Sequence, residues 1–217
     1  MSEVIEYLGP LSAGIGRTLL LTAASFAIGL VLGLPLVAMR RSGWLPARAL
    51  AIGFVELMRG IPPIAWLFLL YYGLSQLGVR LDSLVAAIAG LGVISAAYMS
   101  EIYRGALRAV PRGQFEAARS VGLGRLHTYR FVIVPQVVVT ALPPAATYAI
   151  GLLKDSAIAS VIGVPEVTAL AFNETQRDFR GLSIFAAAGL IYLAMSVPLA
   201  VVARGLGARL DRRLVHV

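Results

Sequence analysis

Five charged residues lie within or beside long apolar runs of this sequence, and they are the first candidates for chemistry. They are Glu56, Arg59, Glu101, Lys154 and Asp155. Charge is costly to place at membrane depth, so such residues usually pair with one another or serve the path of a polar solute or ion. Glu56 with Arg59, and Glu101 with Arg104, have the i,i+3 spacing of helical ion pairs. The pattern leaves both mutual neutralisation and a polar pathway open.

The Lys154-Asp155 pair has the most unusual context of these charges. It includes the only lysine of the chain and follows an apolar run that contains Pro143 and Pro144. The apolar segment after it, 156–164, is too short to span a bilayer, so we predict a re-entrant or interfacial segment there. Irregular backbone at membrane depth occurs where it lines a wet cavity or is buried in protein, and broken helices build substrate sites in transporters. We therefore predict a pathway or gate role for this pair, with a structural ion pair as the alternative.

Enzymatic function finds little support in the sequence. The two histidines, His127 and His216, are far apart, and the absence of cysteine excludes thiol nucleophiles, disulfides and thiolate metal sites. No metal-ligand spacing is present. A P-loop ends in Gly-Lys-Ser/Thr, whereas the only lysine follows Leu153. We expect neither a catalytic centre nor a metal or cofactor site, and no ATP hydrolysis by a P-loop mechanism.

Composition indicates an integral membrane protein. Hydrophobic residues make up 59% of the 217 residues and charged residues 14%, where a soluble domain has about 25% charged residues. The mean hydropathy is +0.83. The formal charge of +8 lies between the apolar runs, which is typical of membrane loops and does not favour a nucleic-acid partner. No basic residue precedes Arg17, so the first apolar run is expected to remain in the mature protein instead of acting as a cleaved signal.

Five runs are long enough to cross a bilayer as helices. They are Thr18–Met39, Ala49–Tyr72, Ser83–Ser100, Phe131–Leu153 and Gly181–Ala203. Thirteen arginines fall in 40–48, 104–130 and 204–213, and four lie in the opposite connections. The positive-inside rule therefore places the N-terminus outside and the C-terminus in the cytoplasm. Small residues such as Gly29 and Gly33 favour close helix packing in the resulting all-α bundle.

The segment 114–135 carries a recognisable motif: Glu116-Ala117-Ala118, then Gly122, then Val132, Val134 and Pro135 at fixed spacing. It resembles the cytoplasmic coupling loop of binding-protein-dependent ABC permeases, although the usual isoleucine and leucine are both valine here. Three further stretches, Val55–Pro62, Ala96–Leu107 and Leu152–Glu166, are similar to the polar amino acid uptake branch. The resemblance runs from about Gly14 to Arg213 and implies a single type I transmembrane domain over residues 1–217.

The resemblance implies a division of labour among several subunits. Two permease subunits, identical or homologous, would pair around a central pathway in the bacterial inner membrane, each docked to one subunit of an ATPase dimer that uses ATP and Mg²⁺. A short cytoplasmic helix, about 113–123, would contact the ATPase. In that helix Phe115 would be an apolar anchor, Ala117 and Ala118 would allow close approach, and Gly122 would permit a turn. Glu116 is expected to pair with an arginine or to cap the helix.

The same resemblance implies the cargo and its route. A solute-binding protein would deliver a polar amino acid to the outer face, and the chain would move it by alternating access. Lys154 and Asp155 fall in the stretch near the pathway, and with Glu56 and Arg59 they are our candidates for the pathway or its gate. Another small solute, such as an opine or a compatible solute, is one alternative. A channel or scaffold that works without an ATPase is a second. Membrane lipid is an expected partner of the chain as a permease.

Overall fold

Helices account for most of the residues 2–214 that the computed structural model describes, and that range contains no strand. The nine helices in this range are α1 (Ser2–Ser12), α2 (Ile15–Arg40), α3 (Leu45–Gly60), α4 (Pro63–Gln76), α5 (Ser83–Ala109), α6 (Arg112–Ser120), α7 (Arg125–Ile162), α8 (Val167–Asp178) and α9 (Gly181–Leu214). The all-α class predicted from the sequence is confirmed.

Four of these helices are long and apolar enough to cross a membrane: α2, α5, α7 and residues Gly181–Gly205 of α9. A fifth span results if α3 and α4 are taken together, but these two helices are bent by 104°. The predicted continuous helix Ala49–Tyr72 is therefore wrong in its middle. Pro62 and Pro63 cause the break, because proline has no N–H for a helical bond and forces the preceding residue out of helical geometry. Ile61 accordingly has φ −106° and ψ 135°.

The fourth span, α7, extends further along the sequence than predicted. Ser156–Ile162 was predicted as part of a separate re-entrant or interfacial segment, but it continues α7 as a tight 3₁₀ helix. The hydroxyls of Ser156 and Ser160 each donate at 2.7 Å to the carbonyl three residues earlier. These bonds satisfy acceptors where the helix narrows. Gly163, with φ 87°, then ends the helix.

Close packing of α2 on α5 forms the middle of the bundle. A Cβ atom built on Gly29 would lie 2.5 Å from the Cβ of Ser95, and one on Gly33 would lie 2.9 Å from the Cβ of Met99. Small residues are therefore required here for the two backbones to approach, as the glycine spacing predicted. α5 is the central helix, with 61% of its apolar window buried, compared with 17% in α7 and 22% in α9.

Side-chain contacts show which connecting segments lie at each of the two ends of the bundle. At one end, which we call the α6 end, Arg40 pairs with Glu101, and Arg41 donates to the hydroxyl of Tyr129 at 3.5 Å. At the other, the α1 end, Arg17 donates to the carbonyl of Pro165 at 3.5 Å. The loops 40–48 and 104–130 thus lie together, as the arginine distribution predicted, while the direction of the bundle in the membrane remains a prediction.

Candidate functional site

The short helix predicted at about 113–123 is α6, which begins after Pro111 and ends in a well-defined cap. The Gly122 amide donates to the Arg119 carbonyl at 2.9 Å, and the Leu123 amide donates to the Ala118 carbonyl at 3.0 Å. This pair of bonds is a Schellman motif, which needs a left-handed residue at its centre. Gly122 has φ 74°, so it supplies the turn that its residue type predicted.

One face of α6 packs on the first turns of α7. The rings of Phe115 and Tyr129 meet edge to face with centroids 6.1 Å apart. Gln136 donates to the side-chain oxygen of Gln114 at 3.1 Å, and Ala118 is buried. Phe115, which is half-buried, and Ala118, which is buried, therefore pack α6 against its own chain.

The opposite face of α6 is open and combines charge with small side chains. Glu116, Ala117, Arg119 and Ser120 are exposed, as is Gly122 beyond them. Glu116 forms no ion pair within 4.0 Å in the described part of the chain, and its mid-helix position rules out a cap. Both expectations for this carboxylate within its own chain therefore fail. Its charge is free for a contact outside the chain.

The exit from α6 is fastened to α7 at a local distortion of that helix. The Thr128 hydroxyl donates to the carbonyls of Gly124 and Leu123, at 3.1 Å and 3.3 Å. Residues Thr128–Ile133 form a π-helical turn just before Pro135, and such turns are frequent at functional sites. The Thr128 hydrogen bonds hold the turn that follows α6 against the start of α7.

A cluster of three charges fixes the helix that leads into α6. Glu101 pairs with Arg104, as the i,i+3 spacing predicted, and also with Arg40 at the end of α2. The Arg104 Nε atom donates to the same carboxylate at 3.0 Å. Glu101 lies on α5, the helix that precedes α6, and therefore links α2 to α5.

Arg59 pairs with an aromatic ring and not with Glu56. Its guanidinium carbon lies 5.4 Å from the ring centroid of Tyr98 on α5, within range of a cation–π interaction. Tyr98 in turn stacks on Tyr148 of α7 at 4.9 Å and 19°. The Tyr148 hydroxyl lies 2.9 Å from the Ser95 hydroxyl. A continuous line of polarisable groups thus starts beside the break between α3 and α4.

Lys154 and Asp155 lie on α7, the same helix as Tyr148. Both are exposed, and they form no ion pair with one another within 4.0 Å in the described residues. Asp155 follows Tyr148 by seven residues, a spacing that puts both on one face of a helix. The change from α-helix to 3₁₀ helix begins at Ser156. The aromatic pair Tyr98–Tyr148 thus links Arg59, beside the break between α3 and α4, to α7, and Asp155 lies about two turns further along α7.

One buried carboxyl was not singled out from the sequence. Glu166 has 0% relative exposure, accepts from the Tyr192 hydroxyl at 2.5 Å and from the Ala169 amide at 2.8 Å, and so caps α8 against α9. Burial raises the pKa of the Glu166 carboxyl, against the lowering effect of these hydrogen bonds. Its position directly before an apolar helical run was the only available signal, and that position also suits an ordinary surface cap.

Among the side chains that the structure describes, there is no group of three or more His, Cys, Asp or Glu residues that could hold a metal ion. His216, the second histidine considered above, lies outside the described residues.

The helical bundle and the motif around Glu116 and Gly122 match a known protein family. Residues 25–216 match the binding-protein-dependent transport system inner membrane component. The chain belongs to this family. It is accordingly an inner-membrane protein that spans the bilayer several times.

Two relatives and one solved structure resemble the chain over most of its length. The probable amino-acid ABC transporter permease protein YckA of Bacillus subtilis (strain 168) is 38% identical over 182 residues, which cover 84% of this chain and 80% of the relative. The octopine transport system permease protein OccM of Rhizobium meliloti is 37% identical over 199 residues, covering 86% and 80%. The crystal structure of an amino acid ABC transporter with histidines has a TM-score of 0.89 and 33% identity, covering 94% of this chain and 96% of that chain.

Proposed function

We propose that this chain is the permease subunit of an ATP-driven importer that moves a polar amino acid by alternating access. The observation that carries this proposal is α6, which exposes Glu116 and Ala117 while its other face is fastened to α7. Such a helix can receive a force from a partner and pass it to a membrane span. Similarity to YckA and to the amino acid ABC transporter structure supports the choice of cargo.

Energy enters at α6 from a separate ATPase dimer, which binds the ATP and Mg²⁺. Glu116, Ala117 and Gly122 form the contact surface, while Phe115 and Ala118 transmit its movement because they join α6 to α7 and to the rest of the loop. On this assignment the α6 end faces the cytoplasm and the α1 end faces the solute-binding protein. This direction agrees with the positive-inside rule.

The pathway runs along the line from Arg59 to Asp155. An amino acid carries both a carboxylate and an ammonium group, and the line offers a cation at one end and a carboxylate near the other. Glu56 and Lys154 add the complementary charge beside each. All four side chains are exposed in the single chain, as is required if a second permease subunit, identical or homologous, completes the pathway.

The test is ATP hydrolysis in proteoliposomes that contain the complete transporter and its binding protein, with amino acids added singly. Stimulation by one class of polar amino acid is the expected result. Glu116→Lys and Gly122→Asp should abolish stimulation and transport while the complex still assembles. If both variants transport normally, the coupling assignment is wrong; if the subunits do not assemble, the permease proposal itself fails.

An opine is the second candidate cargo, because OccM is nearly as similar to this chain as YckA is. The same assay separates the two, since an opine transporter would respond to octopine-like conjugates and not to the free amino acids. An ATPase-independent channel is distinguished in the same liposomes by solute flux that does not need nucleotide.

A further inference from the structure

A cavity of about 700 Å³ lies where α2, α5 and α7 meet at the α6 end of the bundle. One wall is apolar and includes Leu34 of α2 with Val134 and Val138 of α7. These side chains are 55%, 47% and 52% exposed. The chain itself therefore leaves an apolar wall open at this point.

The mouth of the same cavity is basic. Arg41 and Arg125 line it together with Tyr129, whose hydroxyl accepts from Arg41 at 3.5 Å. No Asp or Glu is among the described residues that line it. Among the side chains that the structure describes, neither arginine has a carboxylate within 4.0 Å, whereas Arg40, which precedes Arg41, pairs with Glu101. Positive charge thus remains uncompensated beside the apolar wall.

The order of these groups along the bundle identifies the occupant. Leu34 and Val138 lie inside the spans Ile15–Arg40 and Arg125–Ile162, while Arg41 and Arg125 lie at the ends of those spans. A phospholipid has the same order, with acyl chains in the membrane and an anionic headgroup at its boundary. A water-soluble partner would reach only the mouth, and the apolar span of a second permease would fill the wall without bringing an anion to the arginines. Basic pockets between spanning helices on the cytoplasmic side are suited to anionic headgroups.

We propose that this cavity, which we call the lipid cavity, binds one anionic phospholipid of the membrane leaflet at the α6 end. Arg41, Arg125 and the Tyr129 hydroxyl hold the phosphate, and an acyl chain lies along Leu34, Val134 and Val138. The leaflet is cytoplasmic on the orientation given under the proposed function. Because Arg125 directly follows the turn that ends α6, the bound headgroup braces that turn against α2.

The experiment measures phospholipid retained by the complete transporter after extraction in detergent, by native mass spectrometry, with added phosphatidylglycerol and phosphatidylcholine as probes. The wild type should retain phosphatidylglycerol in preference to phosphatidylcholine. Arg41→Gln and Arg125→Gln should each weaken that retention roughly fivefold, the effect of one basic residue at an anionic surface. Arg48→Gln is the matched control, since Arg48 is an exposed arginine at the same end that does not line the cavity.

A second variant tests the apolar wall without changing charge. Val138→Phe should reduce retention of phosphatidylglycerol while both arginines remain. The proposal is overturned if the arginine variants retain as much as the wild type, or if Arg48→Gln lowers retention equally. It is also overturned if the variants keep the lipid but lose the ATPase, which would make the mouth a protein contact. A transporter that responds to no amino acid yet retains lipid in this arginine-dependent way would reject the proposed cargo and leave the lipid cavity standing.

Discussion

Gly122 and Gly124 are a matched pair for testing whether the shape of the α6 turn matters to coupling. Both are exposed, and a Cβ added to either would meet no atom within 4 Å. They differ in backbone: Gly122 has φ 74°, whereas Gly124 has φ −65° and ψ 158°. Alanine at the first position must adopt a left-handed conformation, and alanine at the second does not.

The expected magnitude follows from this difference. A left-handed backbone costs an ordinary L-residue about 1 to 2 kcal/mol, which changes a local equilibrium by roughly 5- to 30-fold. α6 is too short to be stable without its contacts to the rest of the chain. We therefore expect the conformational cost of alanine at position 122 to change the shape of the turn. We expect Gly122→Ala to lower amino-acid-stimulated ATP hydrolysis several-fold and Gly124→Ala to leave it unchanged.

Gly122→Asn separates conformation from simple bulk. Asparagine is larger than alanine but tolerates the left-handed region better, so activity should fall in the order Gly, Asn, Ala. The assay is stimulated hydrolysis in proteoliposomes, normalised to assembled complex. Equal loss in Gly122→Ala and Gly124→Ala, or a lower activity for Asn than for Ala, would refute the conformational explanation and indicate steric exclusion by a partner.

Three further predictions concern stability, measured as thermal unfolding in detergent. Gly29→Ala forces a Cβ against the α5 backbone and should cost about 1 to 3 kcal/mol, while Gly53→Ala, with nothing within 4 Å, should not destabilise. The pKa of the Glu166 carboxyl is raised on folding, so its contribution to stability is complete below the unfolded pKa and is lost as pH rises through the higher folded pKa. Glu166→Gln should remove this pH dependence of the unfolding temperature. The same pH dependence in the variant and the wild type would contradict the prediction. Glu101→Gln should cost about 1.5 to 3 kcal/mol as charge-assisted bonds are lost, and Glu174→Gln, whose arginine partner is 76% exposed, should change little.

The spans were predictable from sequence because each is a long window of apolar residues with charge at its ends. The break at Ile61 was missed for the same reason, since hydropathy averages over a window and Pro62 and Pro63 are themselves compatible with an apolar run. The 3₁₀ extension of α7 was missed because residues 156–164 were considered as a separate segment, which is too short to span a bilayer. Helix continuity through Asp155 depends on local hydrogen bonds that hydropathy does not register.

The candidate site shows which side-chain contacts cannot be predicted from the spacing of residues in the sequence. α6 and its glycine turn were predicted from the family resemblance, whose motif is a short run of residues, and the Glu101–Arg104 pair was predicted from its i,i+3 spacing. Arg59 has an acidic neighbour at the correct spacing but uses Tyr98, on another helix. The partner of a side chain beside a helix break is set by which helix packs there, and one sequence does not contain that packing explicitly.

On the proposed function, the position of α6 restricts how its movement can reach the pathway. α6 follows α5 directly in the chain and is fastened to α7 through Phe115 and Tyr129. The stacked rings of Tyr98 and Tyr148 lie on these same two helices. If α5 and α7 move as one body, this stack and the Ser95 hydrogen bond stay unchanged, and the pathway changes only where the second permease subunit borders it. If α5 and α7 shift relative to one another, the contacts that the shift must break are those between Tyr98, Tyr148 and Ser95.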